Sequence, residues 1–173
     1  MEKKFKVKDR TEVIIRPAKE SDVKMSFGFF KQLSDNAKAY LRVDVDDHKV
    51  VEQRLKQNAL GTTKRIFAIA NDKIVADGAI ELRSHGWEKH IGELRLLVSE
   101  DYQSKGLGML MAEELYLIAA QEKVEEIIVK LMAPQKEARR IFYRLGFHED
   151  TIIKNYVKDV RGRRQDLLIM RCN

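Results

Sequence analysis

A polar turn that carries two closely spaced glycines is the part of this sequence best suited to chemistry. The turn, residues 103–108, follows an apolar strand-like run that ends at Val98 and opens a long apolar helical segment. The first amides of a helix lack partners within the helix and point outward, and the helix dipole adds positive charge there. Glycine also lets a ligand approach the backbone closely. The turn therefore predicts a site for a phosphate or pyrophosphate group.

Two common phosphate-binding motifs do not match this turn. The dinucleotide fingerprint requires a third glycine three residues after the second, where this chain has Met111. The P-loop requires Gly-x4-Gly-Lys followed by Ser or Thr, and the chain contains no such string. Because a Gly-x-Gly turn alone is weak evidence, a second signature is needed to interpret it.

That second signature follows after one further strand-like segment. Apolar residues at Ala138, Ile141, Phe142 and Leu145 recur at helical spacing and predict a helix over residues 135–145. Gly146 is suited to end this helix.

Together the two segments resemble the GNAT acyltransferase superfamily. Gln103-x-x-Gly106-x-Gly108 is similar to the family motif Gln/Arg-x-x-Gly-x-Gly/Ala. The helix from Ala138 to Phe147 is similar to the family's Ala-x-x-hydrophobic-aromatic signature, which ends in Leu-Gly-Phe. Both signatures occur in the family's order. The resemblance implies an acyltransferase that binds acetyl-CoA and transfers its acetyl group to an amine.

The resemblance also implies which residues bind acetyl-CoA. The pyrophosphate would lie on the amides of residues 103–108, and the pantetheine arm would pair with residues 96–98 like an added strand. A backbone N–H near Leu97 or Val98 would polarise the thioester carbonyl, a role worth about 3–4 kcal/mol where single donors have been removed. No metal is expected. The predicted cofactor-binding residues are Leu96, Leu97, Val98, Gln103, Ser104, Lys105, Gly106, Leu107, Gly108, Gln135, Ala138 and Phe142.

Two residues are predicted to take part in catalysis. A free lysine amine is protonated at neutral pH, so transfer benefits from a general base. Glu93 stands where many family members have a catalytic glutamate, and an ion pair with Arg95 is the alternative interpretation. The family often has a tyrosine acid where this chain has Phe142. The neighbouring Tyr143 is then the candidate acid, although it lies about 100° further round the helix, and water is the alternative proton source.

Several other residues have more than one interpretation. Gln135 stands where the family often has an asparagine that touches the cofactor, and an exposed glutamine is the alternative. The segment 85–90 holds the only tryptophan and two of the four histidines. A metal site there is disfavoured because no third ligand is indicated. The segment is predicted to be a loop near the substrate or a hairpin tip with Trp87 packed down, and His90 is a candidate for acid–base work. Candidates for neutralising the CoA phosphates, or else plain solvated charges, are Lys105, Lys136 and Arg139.

The order of elements predicts how these residues are positioned. Strands are predicted at residues 12–16, 65–70, 73–82, 92–99, 126–132, 147–157 and 164–171. Helices are predicted from an N-cap at Ser21 to Leu33, over 46–60, from Leu107, and over 135–145. With the resemblance, this order indicates an α/β (α+β) fold. Its sheet is mixed, mostly antiparallel and splayed, with about six to seven strands and helices on both faces.

Length and composition limit the alternatives. The 173 residues are 44% hydrophobic and 35% charged, with a net charge of +6 and one cysteine, Cys172. This suits one soluble domain over residues 1–173 and excludes an internal disulfide. No apolar run approaches the roughly 18 residues of a membrane span, and the N-terminus lacks the apolar region of a secretory signal. We therefore expect a cytoplasmic protein without a membrane partner.

The predicted function is N-acetyl transfer by direct attack in a ternary complex. The acceptor would be a protein lysine, a protein N-terminus or a small amine; residues 29–34 with 40–42 are similar to a region of protein-lysine-acetylating members. A catalytically degenerate CoA-binding sensor is the alternative, because Phe142 replaces the tyrosine. A nucleic-acid-binding domain, suggested by the basic turn 161–164, is disfavoured because no RNA-binding aromatic motif occurs. A homodimer is compatible with the sequence but no residue argues for it.

Overall fold

The strands of residues 2–172, the part of the chain described by a computed structural model, form one eight-stranded sheet in the order β1-β2-β3-β4-β5-β6-β8-β7. The strands are β1 (Lys3–Lys6), β2 (Glu12–Pro17), β3 (Thr63–Ala70), β4 (Lys73–Leu82), β5 (Ile91–Val98), β6 (Glu126–Met132), β7 (His148–Lys158) and β8 (Arg164–Cys172). The helices of residues 2–172 are α1 (Val23–Lys31), α2 (Asp35–Lys38), α3 (His48–Ala59), α4 (Leu107–Gln121) and α5 (Lys136–Arg144). The mixed, mostly antiparallel fold with helices on both faces is therefore confirmed.

The sheet opens between β5 and β6. These two strands run parallel and pair only over Ile91–Glu93 with Glu126–Ile128. Beyond that point β5 stays paired with β4 as far as Val98, while β6 stays paired with β8 as far as Met132. Because each strand follows a different neighbour, the two separate, and the gap between them is the predicted splay.

The two faces of the sheet have separate apolar cores. On one face, α4 and α5 pack through residues such as Met111, Leu115 and Phe142. On the other face, α1 and α3 pack on Phe67 and Ile74. Side chains alternate between faces along a strand. This alternation decides which polar residues of β3–β6 face α4 and which face α3.

The sequence missed β1 and misplaced the start of the first helix. β1 has the sequence Lys-Lys-Phe-Lys and pairs with β2 at the edge of the sheet. Phe5 is the only apolar residue of this strand, so the sequence shows no apolar face. With β1 included the sheet has eight strands among residues 2–172, not six to seven. The N-cap of α1 is Asp22, not Ser21, because a 3-10 turn at Glu20–Asp22 precedes the helix. No helix among residues 2–172 has the length and apolar content required to cross a bilayer.

Candidate active site

A cleft of about 970 Å³ occupies the gap between β5 and β6. Its walls come from the C-terminal halves of both strands, the N-terminal ends of α4 and α5, the segment 36–45, and β7 and β8. The closed end of the gap lies where β5 and β6 still pair, beside the connection 83–90. The cleft therefore opens at the ends of the strands from which α4 and α5 begin.

The turn 103–108 has the backbone conformation that its glycine requires. Gly106 is the N-cap of α4 with φ of 86°, and Ser104 has φ of 60°. A Cβ at position 106 would meet only Lys8 Cε, at 4.0 Å, so conformation rather than crowding demands glycine there. The Gln103 side chain donates a hydrogen bond of 3.0 Å to the Val98 carbonyl. This bond fixes the turn against the end of β5.

Gly108 has a packing role that the sequence did not indicate. A Cβ at position 108 would lie 2.9 Å from Ile141 Cδ1 and 3.7 Å from Val98 Cγ2. The glycine therefore lets α4 approach α5 and β5 closely. Close contact between the helices is thus a second physical reason for glycine at this position, beside the predicted approach of a ligand, and Gly108 also lines the cleft.

The edge of β5 presents free backbone donors to the cleft. The Ser99 N–H donates to the Val75 carbonyl of β4 at 2.9 Å. Because successive residues of a strand point their N–H groups to opposite sides, the N–H of Leu97 also faces β4, while those of Leu96 and Val98 face the gap. Of the two residues predicted to polarise a carbonyl, Val98 is the one whose N–H points into the cleft.

Ten of the twelve predicted cofactor-binding residues line this cleft. They are Leu96, Leu97, Val98, Gln103, Ser104, Gly106, Gly108, Gln135, Ala138 and Phe142. Leu107 instead buries its side chain in the core. Lys105 forms an ion pair of 2.7 Å with Asp9, and its ammonium lies 4.9 Å from the centre of the Tyr102 ring. The Gln135 side chain accepts a hydrogen bond of 2.7 Å from the Met132 N–H, so it holds the end of β6 to the start of α5.

Glu93 lies in β5 at the point where the two strands begin to separate. Its carboxylate accepts hydrogen bonds from Arg42 and from Lys130, the latter at 2.8 Å. The predicted partner Arg95 is more distant, at 3.9 Å. Arg42 also donates 2.9 Å to the Lys130 carbonyl and so bridges the two strands. The carboxylate sits just behind the cleft wall that Arg42 and Lys130 form.

The surroundings of Glu93 keep it ionised. Burial raises the pKa of its carboxyl, but the hydrogen bond from Lys130 and the charge of Arg42 outweigh burial and set the pKa below its usual value. Such a carboxylate remains charged throughout the neutral range. It is a weak base on its own, and it can orient a protonated amine or a water molecule.

The side chains of Tyr143 and Phe142 point to different sides of α5. Phe142 is only 3% exposed and packs edge-on against Phe147, with ring centres 5.2 Å apart. Tyr143 is 46% exposed, its hydroxyl donates to Glu149, and it is not among the residues that line the cleft. Arg139 pairs with the same glutamate. The candidate acid Tyr143 thus faces away from the reacting centre, because one residue turns the side chain about 100° round the helix.

The segment 84–90 lies at the closed end of the gap. The segment joins the antiparallel neighbours β4 and β5, as the hairpin prediction requires, but Trp87 is 91% exposed, so the prediction of a packed tryptophan is wrong. None of its residues is among those that line the cleft. Its polar sequence provides no apolar neighbour to cover the indole. Among residues 2–172 no group of three possible metal ligands is found.

The sequence reasoning missed a set of charged and aromatic residues in the cleft. They are Arg54, Arg65, Asp77, Lys130 and Tyr156. Tyr40 and Arg95, for which the sequence suggested other roles, line the cleft as well. Arg65 and Asp77 stand inside otherwise apolar strands and are buried. A charged residue within a buried apolar run was the signal that could have identified both.

The cleft suits acetyl-CoA on three observations. Residues 104–108 present the amides of a helix start, whereas the Gln103 N–H, also predicted to hold the pyrophosphate, donates to the Glu100 carbonyl at 3.2 Å. The N–H groups of Leu96 and Val98 lie along one strand edge of the cleft, and Ala138 lines the cleft at the start of α5. The helix-start amides suit a diphosphate, and the strand edge suits an arm that carries amide groups. The small side chain of Ala138 suits the thioester end. Lys136 lies at the same end and adds positive charge.

Comparison with known proteins identifies the class. The sequence profile of the acetyltransferase (GNAT) domain matches residues 62–149. That segment spans β3 to the start of β7, which includes the turn, both strands of the gap and α5. The chain therefore belongs to the GNAT acetyltransferase family, and it is an acyltransferase. A search of curated proteins finds no match.

Solved structures share the fold at low sequence identity. A GNAT-family acetyltransferase from Streptococcus pneumoniae superposes with a TM-score of 0.80 at 20% identity, over 92% of this chain and 98% of that one. A ribosomal-protein-alanine N-acetyltransferase from Brucella melitensis gives 0.79 at 22% identity, over 91% and 98%. A Salmonella typhimurium protein whose structure contains its cofactor acetyl-CoA gives 0.80 at 18%, over 93% of each chain.

Proposed function

We propose that the protein is an acetyl-CoA-dependent N-acetyltransferase that acts on a primary amine by direct transfer within one domain, residues 1–173. The observation that carries the proposal is the convergence of two groups on one cleft. The open amides of β5 and α4 lie on one side, and the carboxylate network of Glu93 lies at the strand separation. The first group suits an acyl donor, and the second suits an amine.

Binding of the donor rests on backbone groups. The amides at the start of α4 would hold the pyrophosphate, and Leu96 and Val98 would pair with the pantetheine arm. Backbone donors are fixed by the fold, so they need no reorganisation when charge develops. The Val98 N–H would stabilise the carbonyl oxygen as it gains negative charge during attack. That role is worth about 3–4 kcal/mol where single donors have been removed in other enzymes.

The reaction forms one bond and breaks another. The neutral amine nitrogen bonds to the thioester carbon, the carbon–sulfur bond breaks, and the amine loses one proton. The leaving thiolate takes a proton from water in the cleft, because Phe142 has no acidic group. Glu93 accepts the amine's proton through a water molecule and returns it to solvent, a role consistent with its position behind Arg42 and Lys130.

The state of Glu93 predicts a specific pH dependence. Since its pKa lies below the ordinary value, Glu93 is already ionised at pH 6 and above. The rise of kcat/KM with pH should then follow the acceptor amine and show no step from Glu93. Glu93→Gln should lower kcat about 100-fold or more, the usual range for loss of a general base, with the affinity for acetyl-CoA unchanged. Release of CoA from acetyl-CoA with a panel of amines measures both.

Glu114→Gln provides the matched control. Glu114 also holds an ion pair, with Lys3 at 2.8 Å, but it lies on α4 and does not line the cleft. Its substitution should leave kcat unchanged. Unaltered turnover in Glu93→Gln, with wild-type stability, would remove Glu93 from the mechanism.

A second candidate function is a CoA-binding module without transfer. The buried Phe142 at the position of the family's tyrosine acid supports it. This candidate predicts that acetyl-CoA binds while no amine in the panel increases the release of CoA. Transfer to any amine excludes it.

A further inference from the structure

The face of the cleft opposite α4 holds a group of charged residues, which we call the acceptor cluster. Arg65, on β3, contributes from a strand that packs against α3. Asp77 is adjacent to Gly78, whose Cβ position faces Leu115 of α4 at 2.8 Å, so Asp77 points to the other face. The cations of the cluster are Arg42, Arg54, Arg65, Arg95 and Lys130, and its carboxylates are Asp77, Glu81 and Glu93.

The cluster has more positive than negative charge. Asp77 is shared by two arginines, Arg65 and Arg54, the latter at 3.1 Å. Glu93 is shared by Arg42 and Lys130, and Glu81 pairs with Arg95 at 2.9 Å. Five cations therefore face three carboxylates among the residues that the structure describes. Two positive charges remain unbalanced.

The unbalanced positive charge of the acceptor cluster lies where burial disfavours it. Arg65 is only 5% exposed. The Nε atoms of Arg65 and Arg95 are buried, and neither has a hydrogen-bond partner among residues 2–172. Burial lowers the pKa of Arg54 and of Arg95, and the charges of neighbouring arginines lower it further. Arg42 and Arg95 are only part-buried, with side chains 31% and 32% exposed, so an anion can reach them, and one that completes the cluster would offset charge that burial disfavours.

The outer wall of the cluster limits what can enter. The Val160 N–H, in the turn between β7 and β8, donates 3.3 Å to the Ala39 carbonyl at the end of α2. This contact closes one side of the cleft. Tyr40 and Tyr156 line the same side. A small molecule fits a concave floor of this kind better than the flat surface of a folded protein does.

From these contacts we infer that the acceptor is a small primary amine that also carries a carboxylate or a phosphate group, bound by Arg95 and Arg42 of the acceptor cluster. The inference rests on the proposed acetyl transfer, and it specifies the acceptor of that reaction. Guanidinium groups bind the planar oxygens of both kinds of anion in pairs. Glu93, which both arginines approach, would then lie beside the amine end of the same molecule.

The phosphates of CoA are not the expected occupant of the cluster. The amides at the start of α4, which suit those phosphates, lie on the face of the sheet opposite to Arg65 and Asp77. Polyamines and basic peptides are disfavoured as acceptors because they would add positive charge to a positive site.

The test compares pairs of amines that differ only in the anion. β-Alanine is paired with its amide for the carboxylate, and O-phosphoethanolamine with ethanolamine for the phosphate; spermidine and a lysine peptide complete the panel. We expect one acidic member to exceed its partner that lacks the anionic group in kcat/KM by about 10- to 100-fold, the range for hydrogen bonds to charged groups. The pair that shows the difference identifies the anion.

Arg95→Gln tests the assignment to the cluster. It should raise KM for the acidic amine about tenfold or more and reduce the preference over the partner that lacks the anionic group. Arg83→Gln is the matched control, because Arg83 is exposed and pairs with Glu88 outside the cleft. It should leave the preference intact.

A binding measurement keeps the two proposals separable. With acetyl-CoA at saturation, inorganic phosphate and malonate are added separately, and the unfolding temperature is measured. A rise with either anion that Arg95→Gln abolishes and Arg83→Gln retains supports the acceptor site even if no amine is acetylated, which would reject the proposed transfer alone. The inference is overturned if both members of each pair react equally, or if spermidine or the lysine peptide is the best acceptor. It is also overturned if no amine reacts and neither anion gives an Arg95-dependent rise.

Discussion

In the function proposed above, the two ends of the cleft recognise their ligands by different means. At the donor end, recognition comes from backbone amides that one short segment, residues 103–108, holds at the start of α4. At the acceptor end, it comes from side chains that arrive from β3, β4, β5, β6, α3 and the segment between α2 and α3. A single turn conformation defines the first site, whereas long-range pairing of the sheet assembles the second.

The two ends also differ in how much they lower the stability of the folded protein. At the donor end, amides without a protein partner destabilise the folded state little, because amides at a helix start are partly exposed and can donate to water. The acceptor end holds buried charges that are only partly balanced, so its stability depends on each carboxylate. Substitutions at the two ends should therefore separate stability from acetyl-CoA affinity.

Asp77→Asn should give the largest loss of stability and should affect the acceptor end alone. It leaves Arg65 and Arg54 without their shared carboxylate, and breaking a buried pair in this way costs about 3–5 kcal/mol of unfolding free energy. Chemical denaturation measures the change. Acetyl-CoA affinity of the folded protein should stay within about twofold of wild type, since the donor contacts lie elsewhere.

Asp46→Asn serves as its control. Asp46 also pairs with a cation, Lys38 at 2.7 Å, but its side chain is exposed, so the expected loss is below about 1 kcal/mol. Equal losses in the two variants would contradict the claim that the acceptor end is a buried, strained arrangement of charge.

Gly108→Ala should have an intermediate effect, through packing. Its new Cβ would overlap Ile141 Cδ1, and overpacking of this kind costs about 1–3 kcal/mol. Removing that methyl in the double variant Gly108→Ala with Ile141→Val should restore most of the stability and the acetyl-CoA affinity. If stability returns while affinity does not, Gly108 is needed for the ligand as well as for the helices.

Gly106→Ala should have the smallest effect on stability and a distinct effect on binding. Alanine at a φ of 86° is strained by about 1–2 kcal/mol. The turn would relax and move the amides, so acetyl-CoA affinity should fall several-fold while binding of phosphate or malonate at the acceptor end stays unchanged. Gly28→Ala, in the interior of α1 with open space at its Cβ position, should instead stabilise by about 0.5–1 kcal/mol.

The same comparison explains how much of each end could be predicted from the sequence. The donor end depends on local conformation, so glycines at fixed spacing after a strand and before a helix predicted the turn that the structure has, and α5, β6 and the start of α4 were placed within a residue or two. The acceptor end depends on which residues of distant strands face one another. Pairs such as Ala79 with Arg95 follow from strand register, which the sequence alone does not define.

Two local errors have physical reasons as well. β1 has three lysines and a single apolar residue, Phe5, so it shows no alternating apolar pattern, and its strand character arises only when β2 pairs with it. Trp87 suggested packing because tryptophan is usually buried, but the connection 83–90 extends beyond the sheet and offers nothing to cover the ring.

Thermal unfolding with acetyl-CoA, NAD and ATP in parallel tests the central claim most directly. Ligand at about 100 times its dissociation constant stabilises the folded state by about 2.7 kcal/mol. For a chain of this size that corresponds to a rise of roughly 5–10 °C. The account predicts this rise with acetyl-CoA and none with NAD or ATP. No rise at millimolar acetyl-CoA, or an equal rise with all three, would contradict the claim that residues 103–108 and the edge of β5 form an acetyl-CoA site.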